Sequence, residues 1–357
     1  MNIFSIKPKA FGLDISDFSL RFAALEKQKD KIVVSSFGEE KIPDGVVLGG
    51  EIKDKAALAQ IIKKSVANPK SGKIKTNFVV SSLPEEKSYL DVIKLPGMPP
   101  DETENAVRHE IENHIPLPLA EVYFGWEKIE TPAGKKDFQE ILIAAAPQKT
   151  VDDYLFVLKS AGLEAVGFEI ECLAIVRSVL KEEELSSPTL IVDFGGSRTT
   201  FIFYSGRTVR FTSTIPFSSQ GLTREIAEKL NIIPKDAEKL KIKHGLKGDK
   251  KIKYIIGPRI EKFADEIKNG LEYYRTHEEE NRILYDMRDI EKIFLCGAAA
   301  NLKGLVDFLE KRLKIDIALA NPFSNISHDP PKNAPKLSFE KALSYATTLG
   351  LALRGIN

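Results

Sequence analysis

Short apolar blocks separated by polar turns open the chain. Ala10–Ile15 predicts a strand, Leu20–Glu26 a second after the turn Ser16–Phe18, and Lys31–Phe37 a third after the polar turn Lys27–Asp30. The same grammar returns far downstream, where Thr189–Phe194, Thr200–Tyr204 and Thr208–Thr214 are separated by turns at Gly195–Thr199 and Ser205–Gly206. The chain therefore reads as internally duplicated, each half opening on strand, acidic turn, strand.

Between the repeats, Lys55–Ser65 has helical apolar spacing at Leu58, Ile61 and Ile62, and Asn77–Ser82 predicts a short buried strand. Glu86–Pro147 has its own character. Asp101 with Glu104 resembles a capping box, and Val107, Ile111 and Ile115 form one face of a helix that Pro116 stops. Strands Val122–Ile129 and Glu140–Ala146 follow, joined by a turn at Pro132–Gly134, so this segment reads as a small inserted subdomain. Helices are predicted over Val151–Ala161, Leu173–Lys181, Leu222–Leu230, Lys235–His244 with Gly245 as its stop, and Ile255–Arg275. Val166–Ile170 and Ile290–Cys296 read as strands, the second breaking into Gly297–Ala300, and Phe339–Arg354 as a last amphipathic helix.

With 357 residues, 43% of them hydrophobic, the chain can build two cores. Its 52 Lys and Arg balance 51 Asp and Glu, so no global field draws it to nucleic acid or an anionic membrane. The basic run Lys243, Lys247, Lys250, Lys251 and Lys253 lacks interleaved aromatics and reads as a solvated loop, and no nucleic-acid partner is expected. Cys172 and Cys296, both in apolar stretches, leave nothing from which to build a disulfide framework or zinc cluster. His109 and His114 share a helical face too poorly to hold a metal, and Trp126 reads as a packing residue. Met1–Lys9 has no signal-peptide run and no window reaches the roughly 18 apolar residues that span a bilayer. A cytoplasmic protein that meets the membrane through a partner, without inserting, is the expectation.

Four constellations can carry chemistry. Phe11–Ser16 and Ile191–Ser197 each place an Asp, Asp14 or Asp193, at a strand end before a tight turn. Such a carboxylate can hold magnesium through waters while turn N–H groups face phosphate oxygens; taken singly, each is also an ordinary turn former. Ile293–Leu305, a buried strand breaking into small residues, lets a flat base approach the backbone or simply packs a helix on a strand. Glu238 and Lys241 share a helical face that could address ribose hydroxyls or be a solvated pair.

In this order the four pieces resemble the superfamily of actin, heat-shock chaperones and sugar kinases. Leu95–Pro99, the acidic helix Glu102–Glu112, Ile115–Pro118, Ala161–Ala165, Ile315–Phe323 and Tyr345–Arg354 look, more narrowly, like the type IV pilus assembly PilM family. The resemblance implies an α/β, actin-like, two-lobed fold of duplicated ribonuclease H-like type. It assigns 1–85 and 148–187 to the first lobe, 86–147 to an inserted partner-binding subdomain, 188–230 and 290–357 to the second lobe, and 231–289 to that lobe's subdomain.

It further implies ATP and Mg2+, with Asp14 and Asp193 at the metal. Gly12, Asp14, Ser16, Asp17 and Ser19 would form one phosphate loop and Asp193, Gly195, Gly196, Ser197, Arg198 and Thr199 the other; Glu238 and Lys241 would take the ribose, and Gly297, Ala298 and Asn301 the base. Glu171 stands where actin-like relatives orient water, or is a helix-start carboxylate. The implied partners are the N-terminal cytoplasmic peptide of a PilN-like inner-membrane protein, other proteins of the pilus assembly platform, and further copies of the chain. Departures from the pattern at Ser16, Asp17, Phe18, Ala298 and Ala299 point to nucleotide binding that is weak or lost, with the scaffold role retained, and to at most a weak ATPase: Asp17 would set a charge beside phosphate unless the metal or Arg21 offsets it, and the two methyls narrow the base site. An FtsA-like cell-division scaffold is the alternative. A sugar- or acetate-kinase type of phosphotransferase ranks below it, because Glu86–Pro147 shows no acceptor pocket.

Overall fold

The computed structural model describes residues 8–129, 138–277, 289–327 and 336–356. Every residue of β1 (Phe11–Ile15) is buried, so this apolar block is a central strand rather than an edge. It pairs antiparallel with β2 (Ser19–Gln28), which pairs with β3 (Lys31–Lys41). A hairpin of β4 (Val47–Leu48) and β5 (Glu51–Ile52) leads to α1 (Lys55–Ala67), whose first turn is capped by the Asp54 carboxylate accepting the Ala57 N–H at 2.9 Å. Strand β6 (Phe78–Leu83) then lies parallel to β1.

The inserted segment forms β7 (Tyr89–Pro96), α2 (Pro100–His114), β8 (Val122–Lys128) and β9 (Phe138–Pro147), an antiparallel sheet of order β7-β9-β8. Val107, Ile111 and Ile115 of the helix pack with Ile93, Leu95, Ile141 and Ile143 of the sheet, as their spacing predicts. The helix starts one residue before the expected cap: Pro99 takes the cap position and Pro100 the first turn, where a missing N–H costs nothing. The expected turn at Pro132–Gly134 lies outside the described residues. After α3 (Gln148–Ser160), β10 (Glu164–Ile170) completes the first sheet in the order β10-β6-β1-β2-β3, and α4 (Glu171–Val179) follows directly.

The second unit repeats the plan. β11 (Thr189–Phe194), β12 (Thr199–Ser205) and β13 (Thr208–Ile215) form the meander, and α5 (Ser219–Leu230), α6 (Pro234–His244) and α7 (Lys250–His277) follow. β14 (Lys292–Cys296), α8 (Leu305–Leu313) and β15 (Asp316–Leu319) close a sheet of order β13-β12-β11-β14-β15. Each first strand thus pairs antiparallel with its successor and parallel with a later strand, so the duplication inferred from alternation exists in topology.

One expected boundary is corrected. Residues 290–357 were assigned together to the second lobe, but Asn321–Asn357 belong with the unit made of the described parts of Met1–Ile129 and Gly134–Lys181, while Glu182–Ala320 form the other. The short α9 (Phe339–Ala342) and the last helix, α10 (Ala346–Ile356), are responsible. α10 buries residues nearly all round, Leu349, Leu351, Ala352 and Leu353 among them, so it needs cover on several sides. It finds Ala23, Leu25 and Phe37 on one side and Val80 and Ala174 on another. Two glycines allow the close approach: a Cβ at Gly12 would collide with the Thr348 carbonyl, and one at Gly350 with the Ala174 carbonyl. Gly12, expected among the nucleotide residues, is therefore taken up by this packing.

Candidate functional site

In each unit the acidic strand end sits where parallel strands terminate, the edge at which α/β sheets collect ligands. In the first unit, Asp14 closes β1 and is buried; its Oδ1 accepts the Ser82 hydroxyl at 2.9 Å, and Ser82 Oγ accepts the Ile15 N–H at 3.3 Å. Ser82 thereby ties the ends of β1 and β6 together and fixes the carboxylate. The following turn is closed on itself, with the Ser16 and Ser19 hydroxyls 2.9 Å apart and the Ser16 N–H donating to the Ser19 carbonyl at 2.9 Å.

Asp17 has a different job from the one expected of it. Its buried carboxylate accepts the Gly50 N–H at 3.0 Å, and the Tyr154 hydroxyl donates to the Gly50 carbonyl at 3.2 Å, so Asp17 anchors the β4–β5 hairpin. Arg21, the expected offset, instead pairs with Glu39 at 3.1 Å. Glu171 is the first residue of α4, which makes it a helix-start carboxylate, and the next N–H, of Cys172, donates to the buried Glu85 at 3.3 Å. Burial, then the Glu85 charge, pushes the Cys172 thiol well above its usual range, so it is inert.

In the second unit, Asp193 ends β11 and is half-buried. The Cys296 thiol donates weakly to its Oδ1 at 3.8 Å, and burial followed by the Asp193 charge raises that thiol too. Gly297, with φ +87°, must be glycine twice over: its backbone is left-handed, and a Cβ would strike Asp193 Oδ1 and the Phe194 carbonyl. The Ala299 N–H donates to that same carbonyl at 3.1 Å. Ala298 is exposed while Ala299 is buried, so of the two methyls only that of Ala298 is open to solvent. Asn301 is exposed at the end of this run.

The second turn grips the start of α5. The Gly195 N–H closes on the Arg198 carbonyl at 3.0 Å, and the Ser219 and Gln220 N–H groups donate to the Gly195 and Gly196 carbonyls, each at 3.1 Å. Ser218 caps the next N–H, of Gly221, at 3.1 Å. Thr199 is fully buried and its hydroxyl donates to the Phe217 carbonyl at 2.7 Å, which removes it from the expected phosphate set. Gly195, Gly196, Ser197 and Arg198 stay partly exposed.

Lys241 is not half of a solvated pair. It is buried, its Nζ donating to Ser219 Oγ at 2.6 Å, to Thr223 Oγ1 at 2.8 Å and to Glu238 Oε2 at 2.7 Å. Burial lowers its pKa and the Glu238 carboxylate opposes that shift. Lys241 thus bolts α6 to the first turn of α5, and of the expected ribose pair only Glu238, also bonded to the Thr223 hydroxyl, remains partly open. The expected residues therefore gather in two hydrogen-bonded clusters, one per unit. Among the described residues no group of three or more His, Cys, Asp and Glu side chains could by itself hold a metal, so any magnesium would be held largely through water.

A feature that the sequence reading missed lies in the first unit. Edge strand β8, α4 and α10 enclose a groove of about 490 Å³ lined by Tyr123, Trp126, Glu127, Leu173, Arg177 and Arg354. Its charged wall is Glu169, bound by both Arg177 terminal nitrogens at 2.5 Å and by Arg354 at 3.1 Å. Trp126 also packs on the inserted subdomain's core, as expected of it.

A duplicated sheet of this strand order, with an acidic strand end in each copy, defines an actin-like protein. The structure of Spiroplasma citri MreB5 bound to ADP shares the fold, with a TM-score of 0.53 at 15% identity over 95% of this chain and 94% of that one. Cell division protein FtsA of Enterococcus hirae is 24% identical over 87% of this chain and 78% of its own length. Much nearer is a solved PilM-PilN type IV pilus biogenesis complex, with a TM-score of 0.81 at 26% identity over 98% of this chain and 99% of that one. Residues 12–356 match the family of type IV pilus assembly protein PilM, and the chain belongs to that family. It is an actin-like scaffold of the pilus assembly type. No helix among the described residues is long and apolar enough to cross a membrane.

Proposed function

We propose that the chain links a nucleotide to the grip on a membrane protein's tail: ATP with Mg2+ is held at the acidic strand-end clusters, and the N-terminal cytoplasmic peptide of a PilN-like inner-membrane protein lies in the groove beside β8. The observation that carries this reading is the groove itself. It combines an apolar floor, a free strand edge that can pair with an extended peptide, and two arginines on its wall. The related PilM was solved as a complex with PilN. Attachment to the inner membrane then comes through that partner.

For the nucleotide, the residues that fit are Asp14, Asp193, Gly195 to Arg198 and Ala298, at or just after strand ends, with Glu238 on α6, none of them fully consumed by internal bonds. Magnesium would supply charge neutralisation of the phosphates. Asp14 and Asp193 would orient its waters, and the turn N–H groups would address phosphate oxygens. With Thr199, Lys241 and the α5 N-terminus internally bonded, few donors are left to stabilise a transition state, so hydrolysis is slow or absent.

The test uses Gly125, which lines the groove and at which a Cβ meets nothing within 4 Å. Gly125→Trp should weaken binding of a fluorescent peptide from the partner's N-terminus by at least about tenfold, with no loss of thermal stability. Unchanged peptide affinity would remove the groove from the reading, and no response to ATP with magnesium would remove the nucleotide.

A further inference from the structure

The second unit holds a groove of its own, about 470 Å³ in volume, between β13 and the later turns of α7; none of its residues is among those assigned to the nucleotide or the peptide. Its floor is aromatic. Phe201 and Phe203 of β12 lie against Phe263 and Tyr274 of the helix, and the register sets Ser213 and Phe211 of β13 beside them. Phe211 stacks on Phe203 with ring centroids 4.3 Å apart and meets Tyr273 edge-on at 5.1 Å. Gly270 lets α7 lie directly on this floor, since a Cβ there would come within 3.0 Å of Phe203 Cζ.

One wall is an open strand edge. β13 is the outermost strand of its sheet and pairs only with β12 among the described residues. Natural sheets blunt such an edge with charges, prolines or bulges, because unpaired backbone groups are a template for another strand. The stretch Phe-Thr-Ser-Thr-Ile from Phe211 to Ile215 carries none of these: the register shift of the pair falls before it, and the one charge on the strand, Arg210, is buried.

The other wall is α7, where Glu266, Asn269 and Tyr273 recur at helical spacing on one face. Neighbouring acids are already matched, Glu261 and Asp265 by Arg312 at 3.3 and 2.7 Å, and Glu272 by Arg275 at 3.3 Å. Glu266 and Asn269 are exposed and bond to nothing among the described residues. The groove therefore sets one uncompensated carboxylate near the Phe211 and Tyr273 rings, whose planes stand at 72° to each other. A carboxylate and aromatic faces attract the same group, a side-chain cation.

We propose that this groove takes an extended segment of another protein as an added strand on β13, with apolar side chains on the aromatic floor and a Lys or Arg at Glu266. Side chains on one face of a strand recur every second residue, so the segment reads apolar, basic, apolar at alternate positions.

The experiment is fluorescence anisotropy on the purified full chain, in about 0.05 M salt so that screening is weak. The probes are labelled Thr-Val-Thr-Arg-Thr-Val-Thr, the same peptide with Glu in place of Arg, and the Arg peptide N-methylated at its central residues. The Arg peptide should bind at least about tenfold more tightly than the Glu peptide, and the N-methylated form should not bind. Glu266→Lys, a change at an exposed position, should reverse the preference between Arg and Glu peptides with thermal stability unchanged. Gly125→Trp, which fills the groove of the first unit, should leave every affinity as it is, so failure there and failure here are separate results. A wild type that binds no peptide or does not distinguish them, a preference that survives Glu266→Lys, or an N-methylated peptide that binds as its parent does would each overturn the proposal. So would sedimentation showing, without peptide, a self-association that Glu266→Lys removes, which would give the groove to a second copy.

Discussion

Glu169→Gln should be the most costly single charge change on the peptide groove. Glu169 is 3% exposed and accepts from two nitrogens of Arg177, itself held at the Gly350 carbonyl at 3.2 Å, while Arg354 donates at 3.1 Å from a side chain that is 46% exposed. Removing one partner of a buried pair costs about 3–5 kcal/mol because a charge is left unpaired. Gln keeps the shape and one acceptor, and Arg177 is a third exposed and can recruit water, so about 2–3 kcal/mol remains. Arg354→Ala, at the exposed end of the cluster, should cost under about 1 kcal/mol. Urea unfolding followed by circular dichroism reads this as a lower midpoint at an unchanged slope. The double variant Glu169→Leu/Arg177→Met should recover most of the loss, since an apolar pair of similar volume replaces the ion pair. A Glu169→Gln midpoint equal to that of Arg354→Ala, or a double variant no better than the single, would show that the cluster is held by something other than this pair.

Glu39 is held below its ordinary value of 4.5 even though burial pushes it up, because Arg21, Lys70 and Lys341 face it. A depressed carboxylate stabilises the fold above its unfolded pKa and loses that contribution as pH falls through the folded one. Glu39→Gln should therefore destabilise by up to about 1 kcal/mol at neutral pH, and the gap to wild type, measured as urea midpoints, should close below pH 4.5. Cys172 and Cys296, buried and with raised thiol pKa values, should resist a chromogenic disulfide reagent at mildly alkaline pH in the native protein and react in urea, with fast native labelling of either excluding this burial. Gly350→Ala should cost at least about 2–3 kcal/mol, as overpacking against the Ala174 backbone requires, and a neutral Gly350→Ala midpoint would mean that α10 does not lie where it is described.

The two opening meanders were readable because alternation and buried blocks report strands locally, and the repeat of strand, acidic turn, strand gives the duplication without any long-range information; the edge strand Asp316–Leu319 went uncalled. What a local pattern cannot report is which distant surface an element meets. Glu238 and Lys241 look like a surface pair because spacing along one helix reveals only each other; Ser219 and Thr223, which decide that Lys241 is buried, lie on another helix. Asp17 looked like a phosphate neighbour because the turn places it there, while its bond to Gly50 crosses to a different hairpin. The placement of α10 had a signal that went unread: a glycine inside a buried strand, Gly12, and one inside an apolar helix, Gly350, both mark close backbone approach. Glu169 gave none, since one acidic residue in an alternating strand looks the same whether it faces water or two arginines.

The same packing joins the groove to the first acidic strand-end cluster. Helix α4 begins at Glu171 and Cys172, beside Glu85 and the strand ends that carry Asp14 and Ser82, and six residues beyond Glu171 it presents Arg177 to the groove. Arg177 also holds the Gly350 carbonyl of α10, the helix that lies on β1 through Gly12. A shift at the strand ends therefore has only rigid elements through which to reach the groove wall, and two helices share the load. The form any coupling takes is fixed: if the nucleotide alters peptide affinity by some factor, the peptide must alter nucleotide affinity by the same factor, and Gly125→Trp, which fills the groove from the β8 side, should leave the intrinsic nucleotide affinity unchanged while removing the peptide's effect on it.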